Sequence, residues 1–251
     1  MQRAALLAQL NEWLQPDMVQ DYCPNGLQVQ GRDVIERIVT GVTASQALLD
    51  AAVEVQADTV IVHHGYFWKG EPEAVVGMKY RRLRTLFAHD MNLIAYHLPL
   101  DIHPEFGNNR CLLQLLNCSD IQAVEAVKPQ GILQLGTFAD ALSGYELADR
   151  IEYALARTLV ACELNEQPIS RIAVCTGGGQ GFIEQALAAG ADAFITGEVS
   201  EQTIHVAREC GIQFFAAGHH ATERYGVQAL GDKIASQFNL DVQFIDIDNP
   251  A

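Results

Sequence analysis

The sequence has no run of 18 apolar residues, which is about the length that a membrane-spanning helix needs. The apolar stretch near the start is interrupted by Gln9, Asn11 and Glu12, and no small-residue cleavage site accompanies it. This stretch therefore predicts a helix rather than a signal peptide. From both absences we expect a protein that spans no membrane and works in the cytoplasm.

Basic residues are scarce. Lys and Arg number 16 against 31 Asp and Glu, so the formal net charge is −15. A field of this sign repels nucleic acid phosphates and anionic lipid head groups, which disfavours nucleic acid as a partner. The local exception is a basic cluster, which fits either a solvated helix face or a contact for an anionic ligand; it comprises Lys79, Arg81, Arg82 and Arg84.

Cysteine pairs with CxxC spacing are also absent. The six cysteines lie mostly among apolar neighbours, in a chain for which no export signal is expected. Reduced thiols in the core are the interpretation that this pattern favours.

What the sequence does have is a βαβ pattern and a repeat of it. Residues 38–42 and 59–62 have the composition of buried strands, and residues 44–56 between them that of a helix. A shift of 134 residues superposes 37–64 on 171–198 without a gap, with seven identities in 28 positions. A later block, 94–101, resembles 216–223 at a shift of 122.

The repeat predicts an α/β fold of two related lobes, with mixed, mainly parallel sheets flanked by helices. We place the first lobe at residues 1–125 and the second at 126–251. The C-terminal segment could also pack back on the first lobe.

Polar side chains that suit metal ions follow several of the predicted strands. Parallel strands place their carboxyl ends at one edge of a sheet, where ligands bind. Each group alone also fits a hydrogen-bonded turn or a helix-surface contact, but together they predict a site for Zn, Fe, Mn, Co or Ni, with two ions suggested by the number of ligands. The candidates are His63, His64, His97, Asp101, His219, His220 and Glu223, and the repeat places Glu198 where the first copy has His64.

A glycine-rich turn, Gly177, Gly178 and Gly179, lies between the strand at 172–175 and the helix at 182–189. Such a turn can present backbone N–H groups to a phosphate of a substrate. It can equally be a tight βα turn without a ligand, because its counterpart Thr43-Ala44-Ser45 makes the same connection with almost no glycine.

The motifs above resemble those of the NIF-three-like dinuclear-metal proteins, also called GTP cyclohydrolase I type 2 homologues, in their short bacterial form. The resemblance runs over essentially the whole chain. It rests on Asp21-Tyr22-Cys23-Pro24-Asn25-Gly26-Leu27-Gln28-Val29 and on the blocks at 41–50, 60–70, 175–180, 192–205 and 216–224.

The resemblance implies a homohexameric ring, a toroid built as a trimer of dimers, with a dinuclear site facing its cavity. Two divalent transition-metal ions per chain would be held by His63, His64, Asp101, His219 and a bridging Glu223. His97 and Glu198 would be supporting residues nearby.

The function implied is a metal-dependent hydrolase that activates water for a small-molecule substrate, although no purine pocket is evident in the sequence. The alternative is a non-catalytic metal-binding ring that binds a partner protein or buffers metal. Since the net charge repels an anionic nucleotide, we also expect the basic cluster or the glycine-rich turn to contact an acidic group of the substrate near the metals.

Overall fold

The chain passes between two structural units at residues 100/101, 225/226 and 248/249 in the computed structural model, which describes all 251 residues. Unit 1 comprises residues 1–100 and 226–248, and unit 2 comprises residues 101–225 and 249–251. No helix is both long enough and apolar enough to cross a membrane.

Unit 1 is built on a five-stranded sheet in the order β1-β4-β3-β2-β11, in which only β1 is antiparallel to its neighbour. Its strands are β1 (Gly26–Val29), β2 (Arg37–Thr43), β3 (Thr59–His64), β4 (Asn92–Ala95) and β11 (Asp241–Phe244). Its helices are α1 (Arg3–Leu14), α2 (Gln46–Glu54), α3 (Gly77–Ala88) and nearly all of α10 (Arg224–Phe238), while α4 (Leu98–Asp101) lies on the first crossing between units.

Unit 2 is built on a six-stranded sheet in the order β5-β6-β8-β9-β10-β7, with a parallel centre, β8-β9-β10, and antiparallel outer strands. Its strands are β5 (Ser119–Ala123), β6 (Gln134–Leu142), β7 (Ala161–Glu163), β8 (Ile169–Cys175), β9 (Ala193–Thr196) and β10 (Gln213–Ala216). Its helices are α5 (Asn108–Leu115), α6 (Gly144–Leu155), α7 (Ile183–Ala188), α8 (Glu201–Cys210) and α9 (His219–Thr222).

The predicted α/β class is confirmed. Five of the nine strand pairings are parallel. Each unit buries its own apolar cluster of strand and helix residues, one around Val60 and Leu93 and the other around Ile172 and Ile195.

The predicted internal repeat is visible in the strand register. Ile38 pairs with Thr59 in the first copy, and the residues 134 positions later, Ile172 and Ala193, pair with each other in the second. The third strand, however, matches at a shift of 121 and not 122, because Thr59 also pairs with Asn92 and Ala193 with Gln213. The sequence alignment of the third strand was therefore wrong by one residue.

The division of the chain differs from the expected boundary at 125/126. Residues 101–125 belong to unit 2, since β5 pairs with β6 and α5 packs on β6 and β8. At the other end, β11 pairs in parallel with β2, so the segment after Tyr225 completes the sheet of unit 1.

All six cysteines are free thiols, but not all lie in the core. Cys23 and Cys175 are buried, and Cys111 and Cys118 are half-buried. The remaining two, Cys162 and Cys210, are exposed, and for them the expectation of a core position is wrong.

Candidate metal centre

Three imidazoles of unit 1 converge at the carboxyl end of its sheet. The buried strand β3 ends in His63 and His64, and the neighbouring parallel strand β4 leads to His97. The ring centroids of His63 lie 4.5 Å from His64 and 5.1 Å from His97. One nitrogen from each ring lies within 4.8 Å of the others, which is the spacing of a group that could hold a metal ion. We call these three residues the histidine cluster.

Two members of the histidine cluster are oriented by protein oxygens. Nδ1 of His63 lies 3.1 Å from the carbonyl oxygen of Tyr96, to which it can only donate. Nδ1 of His64 lies 3.1 Å from the hydroxyl of Thr43. A proton on Nδ1 leaves the lone pair on Nε2, and hydrogen bonds of this kind orient metal-binding histidines.

His97 is held by a network that sequence reasoning missed. Its Nδ1 lies 2.7 Å from Oδ1 of Asp21, and its backbone N–H donates to Oδ1 of Asn25. Burial opposes ionisation of Asp21, but the hydrogen bonds from His97 and Asn25 outweigh it and lower the pKa of this carboxyl. The signal was the turn at residues 21–26, in which an acid and an amide four residues apart precede β1.

Unit 2 brings carboxylates around a single imidazole. His219 begins α9 directly after β10, so Glu223, four residues on, lies beside it, with Nε2 and Oε2 at 3.2 Å. On the other side, Nδ1 of His219 lies 2.7 Å from Oε1 of Glu198. Burial alone would lower the pKa of His219, but the hydrogen bonds and charges of Glu223 and then Glu198 outweigh it and raise this pKa to about 9.

A second buried carboxylate completes this group. Asp101 and Glu223 are both almost fully buried, and a carboxylate oxygen of one lies within 4.8 Å of a carboxylate oxygen of the other. Asn108 donates to Oδ1 of Asp101 at 2.8 Å and fixes its orientation. Two buried carboxylates at this distance repel each other unless a cation or a proton lies near both. We call Asp101, Glu198, His219 and Glu223 the carboxylate cluster.

The glycine-rich turn packs against the carboxylate cluster. Gly177 has a φ of +63°, and a Cβ there would collide with Oε1 of Glu223 and lie 3.0 Å from Nε2 of His219. The N–H of Gly177 donates to the hydroxyl of Thr222 at 3.0 Å. The helix after the turn has only six residues, and the carboxylate of Glu223 lies against the turn. The absence of a side chain at Gly177 therefore leaves room for Glu223. The contact of Gly177, Gly178 and Gly179 with substrate stays a prediction.

The thiols of Cys23 and Cys175 are buried, and their surroundings favour the neutral thiol when no metal is bound. Burial, followed by the charge of Asp21, raises the pKa of Cys23 to about 12. Burial, with the charges of Asp101 and Glu223, raises the pKa of Cys175 well above its usual value. Sγ of Cys23 also lies within 4.8 Å of a carboxylate oxygen of Asp21 and a ring nitrogen of His97, so these three residues form a further group that could hold a metal ion.

Two residues of the basic cluster contact other side chains of the protein, and the other two are exposed. Lys79 forms an ion pair with Glu71 at 2.6 Å, and the guanidinium of Arg82 lies 5.9 Å from the centre of the Tyr66 ring. Arg81 and Arg84 are exposed on the outer part of α3 and form no ion pair.

A protein-family model described as Duf34/NIF3 (NGG1p interacting factor 3) matches residues 1–250. The chain belongs to the DUF34/NIF3 family. Curated relatives named GTP cyclohydrolase 1 type 2 homolog agree: the Pseudomonas aeruginosa protein is 56% identical over 248 residues, covering 99% of this chain and 98% of the relative. The Escherichia coli K12 protein is 53% identical over 252 residues, covering 100% of both. The family recognised from the sequence motifs is thus confirmed.

Solved structures of the DUF34/NIF3 fold match the whole chain. A structure described as protein YbgI, of unknown function, has a TM-score of 0.93 at 52% identity and covers 100% of both chains. A Thermus thermophilus protein has a TM-score of 0.91 at 32% identity, again covering 100% of both. Reduced HcgD from Methanocaldococcus jannaschii, at 22% identity and a TM-score of 0.83 with 98% of both chains covered, shares the fold.

Proposed function

We propose that this protein is a metal-dependent hydrolase in which His63, His64, Asp101, His219 and Glu223 hold two divalent transition-metal ions. Glu223 would bridge the ions, with His97 and Glu198 as supporting residues. The histidine cluster and the carboxylate cluster each supply part of this set, and Zn, Fe, Mn, Co and Ni all suit the donors.

The observation that carries the proposal is the common orientation of the three imidazoles. His63, His64 and His219 each have Nδ1 within hydrogen-bond distance of a protein oxygen, at 3.1, 3.1 and 2.7 Å. A single imidazole with such a partner is common in a protein core. Four of them at strand ends, with His97 and its partner Asp21 included, are typical of metal ligands and the residues beside them. The pair of buried carboxylates, Asp101 and Glu223, adds the negative charge that a divalent ion would neutralise.

Three of the candidate residues lie close in sequence to the crossings between the units. His97 and Asp101 lie on either side of the first crossing between units and are only four residues apart, so the chain holds them within about 14 Å of each other. Glu223 lies three residues before Gly226, where the chain returns to unit 1. His97 of unit 1 and Asp101 and Glu223 of unit 2 therefore lie beside the crossings in the chain.

The relatives' names suggest the reaction class. A cyclohydrolase opens a ring by adding water across a C–N bond, and we propose this chemistry for a small cyclic substrate. Two bound ions would lower the pKa of water to about 7 and polarise the carbon that is attacked. The chain's own residues hold the ligands: Tyr96 and Thr43 orient two imidazoles, and Glu198 accepts the Nδ1 proton of the third.

Elemental analysis of the purified, untagged protein tests the metal set. We expect close to two equivalents of transition metal per chain, and a loss of at least one equivalent in Glu223→Ala. The matched control is Glu201→Ala, which removes an exposed carboxylate of α8 and should retain the full metal content. Full occupancy in Glu223→Ala would remove this residue from the site.

A screen of nucleotides, cyclic amides and phosphoesters with metal-loaded protein tests the activity. Turnover that disappears in His63→Ala supports the hydrolase. No turnover across a wide screen, with metal still bound, would contradict it and favour a metal-binding ring that binds a partner or buffers metal.

We propose further that the protein assembles as a homohexamer, a trimer of dimers. Analytical ultracentrifugation should give a species of six times the mass of one chain, whereas a monomer or dimer at micromolar concentration would contradict the ring.

A further inference from the structure

A cleft of about 330 Å³ lies between helices α2 and α3 of unit 1. None of its lining residues belongs to the histidine cluster or to a strand end, so it is a feature separate from the candidate metal centre. Its walls are formed by Gln46, Arg81, Arg84, Thr85, Ala88 and His89.

The charge of α3 is unusual for this protein. Four of the 16 basic residues lie in this one 12-residue helix, which contains no acidic residue, in a chain of net charge −15. Like charges three or four residues apart on a helix destabilise it. Two of the four are compensated by Glu71 and by the Tyr66 ring, whereas Arg81 and Arg84 have no ion pair and both line the cleft.

The helix presents these two arginines together with polar neighbours. Positions 81, 84, 85, 88 and 89 follow the spacing of a single helix face. At its centre Ala88 leaves room, and Thr85 adds a hydroxyl beside the guanidinium groups.

Across the cleft lies the side-chain amide of Gln46, whose nitrogen has hydrogen-bond partners and whose oxygen has none. Its Nε2 donates to Oγ1 of Thr85 at 2.9 Å and to Oδ1 of Asp50 at 2.8 Å. Its Oε1 is buried and has no hydrogen-bond partner in the protein. A buried acceptor left in this state costs free energy, so a movement of the Gln46 side chain that brought Oε1 to a donor of the ligand would recover free energy here.

We propose that the cleft between α2 and α3 binds the phosphoryl group of a hydroxyl-bearing phosphate ester or phosphoanhydride. Arg81 and Arg84 would bind its oxygens in the bidentate geometry that guanidinium groups form with phosphate. His89 adds a donor at the same wall, and a hydroxyl of the ligand would donate to Gln46. The hydroxyl of Thr85 already donates to the carbonyl of Arg81 and accepts from Gln46, so it fixes the wall and does not contact the phosphoryl group. The carboxylate of Asp50 lies beside this wall and accepts a hydrogen bond from Gln46. The site goes beyond the proposed hydrolase and does not depend on it.

Calorimetric titration with inorganic pyrophosphate tests the site. Against wild type, Arg81→Gln/Arg84→Gln should bind the probe at least 10-fold more weakly. The control, Lys128→Gln/Arg208→Gln, removes the same charge from exposed positions of unit 2 and should change the affinity less than about 3-fold. An equal loss in both variants would reduce the effect to the general field of the protein and overturn the proposal, as would no loss in either.

Two further titrations separate this cleft from the candidate metal centre. Pyrophosphate should still bind to His63→Ala, because the cleft contains none of the proposed ligands. Binding that is lost in His63→Ala and kept in the arginine variant would place the anion at the metals and overturn the proposal. Arg84→Lys keeps the charge but not the planar fork and should give an intermediate affinity. Ribose 5-phosphate, compared with inorganic phosphate, tests the hydroxyl contact, and equal affinities in wild type and Gln46→Leu would contradict it.

Discussion

The two copies of the βαβ repeat share a framework and differ at the ends of their strands. In both copies an aspartate at the start of the second strand accepts two backbone N–H groups of the first: Asp58 from Glu36 and Arg37, and Asp192 from Ser170 and Arg171. At the other end of the same strand, the first copy has His63 and His64 where the second has Gly197 and Glu198.

The residues that stabilise the sheet are therefore different from the residues that form the candidate metal centre. The residues that fix the register lie at the amino ends of the strands and correspond at a shift of 134. The side chains at the carboxyl ends of the strands differ in type between the two copies. Unit 1 has mainly imidazoles there, and unit 2 has mainly carboxylates. The proposed metal centre requires both neutral and anionic ligands, and the two copies differ in which kind they offer.

The largest predicted difference between the two copies is the loss of stability when each aspartate is removed. Asp58 is buried and also accepts from the hydroxyl of Thr59 at 2.9 Å, whereas Asp192 is exposed. Removing a carboxylate that serves buried donors leaves them unsatisfied, so Asp58→Ala should lower the free energy of unfolding by about 3 kcal/mol and Asp192→Ala by about 1 kcal/mol. Urea unfolding of the two variants measures both.

Asp58→Asn is the control for the charge, since its amide oxygen can still accept from the two N–H groups. We expect it to lose less than Asp58→Ala. If Asp58→Ala and Asp192→Ala lower the free energy of unfolding by the same amount, the burial of Asp58 adds no stability. The predicted difference between the two copies would then be wrong.

The next effect concerns Gly177 and its counterpart in the repeat, Thr43. Alanine at Gly177 would have to adopt the left-handed region and would collide with Glu223, so Gly177→Ala should cost about 2 kcal/mol and displace Glu223. Thr43→Ala removes only a hydrogen-bond partner of His64 and should cost less than about 1 kcal/mol, with about 10-fold weaker metal binding. Unfolding and metal titrations measure the pair. Full metal affinity in Gly177→Ala would show that Glu223 tolerates the displacement.

Much of the fold could be predicted because periodicity and capping are local. The apolar stretch near the start forms the predicted helix, α1 (Arg3–Leu14), and a capping box of Ser143 and Glu146 begins α6. The third strand of the repeat was aligned one residue off, because the choice of alignment relied on matching His97 to His219. In the structure, strand pairing and not residue type sets the correspondence.

The candidate site was only partly accessible to sequence reasoning. Strand ends could be recognised one by one, so the imidazoles and carboxylates were predicted. Their orienting partners could not be, because Asp21 reaches His97 across 76 positions and Thr43 reaches His64 across 21. The role of Gly177 was also hidden, since a glycine-rich turn has the same sequence whether it contacts a phosphate or gives way to a neighbouring carboxylate.

The smallest effect is a difference between the two units in how their stability depends on pH. It is measured in protein from which metal has been removed by chelation. The pKa of His219 is raised from 6.5 to about 9, so its stabilising contribution is complete below pH 6.5 and is lost as the pH rises through 9. The pKa of Asp21 is lowered from 3.8, so its contribution is present above pH 4 and is lost as the pH falls through the lower value. Unit 2 should therefore lose stability on the alkaline side, and unit 1 on the acid side.

Urea unfolding midpoints at pH 6 and pH 9 isolate the alkaline effect. Glu198→Gln removes one of the two carboxylates that raise the pKa of His219, so it should reduce the loss of stability between these pH values. We expect a reduction of about 1 kcal/mol, well below the full shift, because the His219 side chain is 31% exposed and solvent screens its charge. Glu201→Gln removes an exposed carboxylate of α8 and should leave the loss unchanged. The same loss in Glu198→Gln as in wild type would mean that Glu198 does not stabilise the charged imidazole, and that its 2.7 Å approach to Nδ1 only fixes the orientation of the ring.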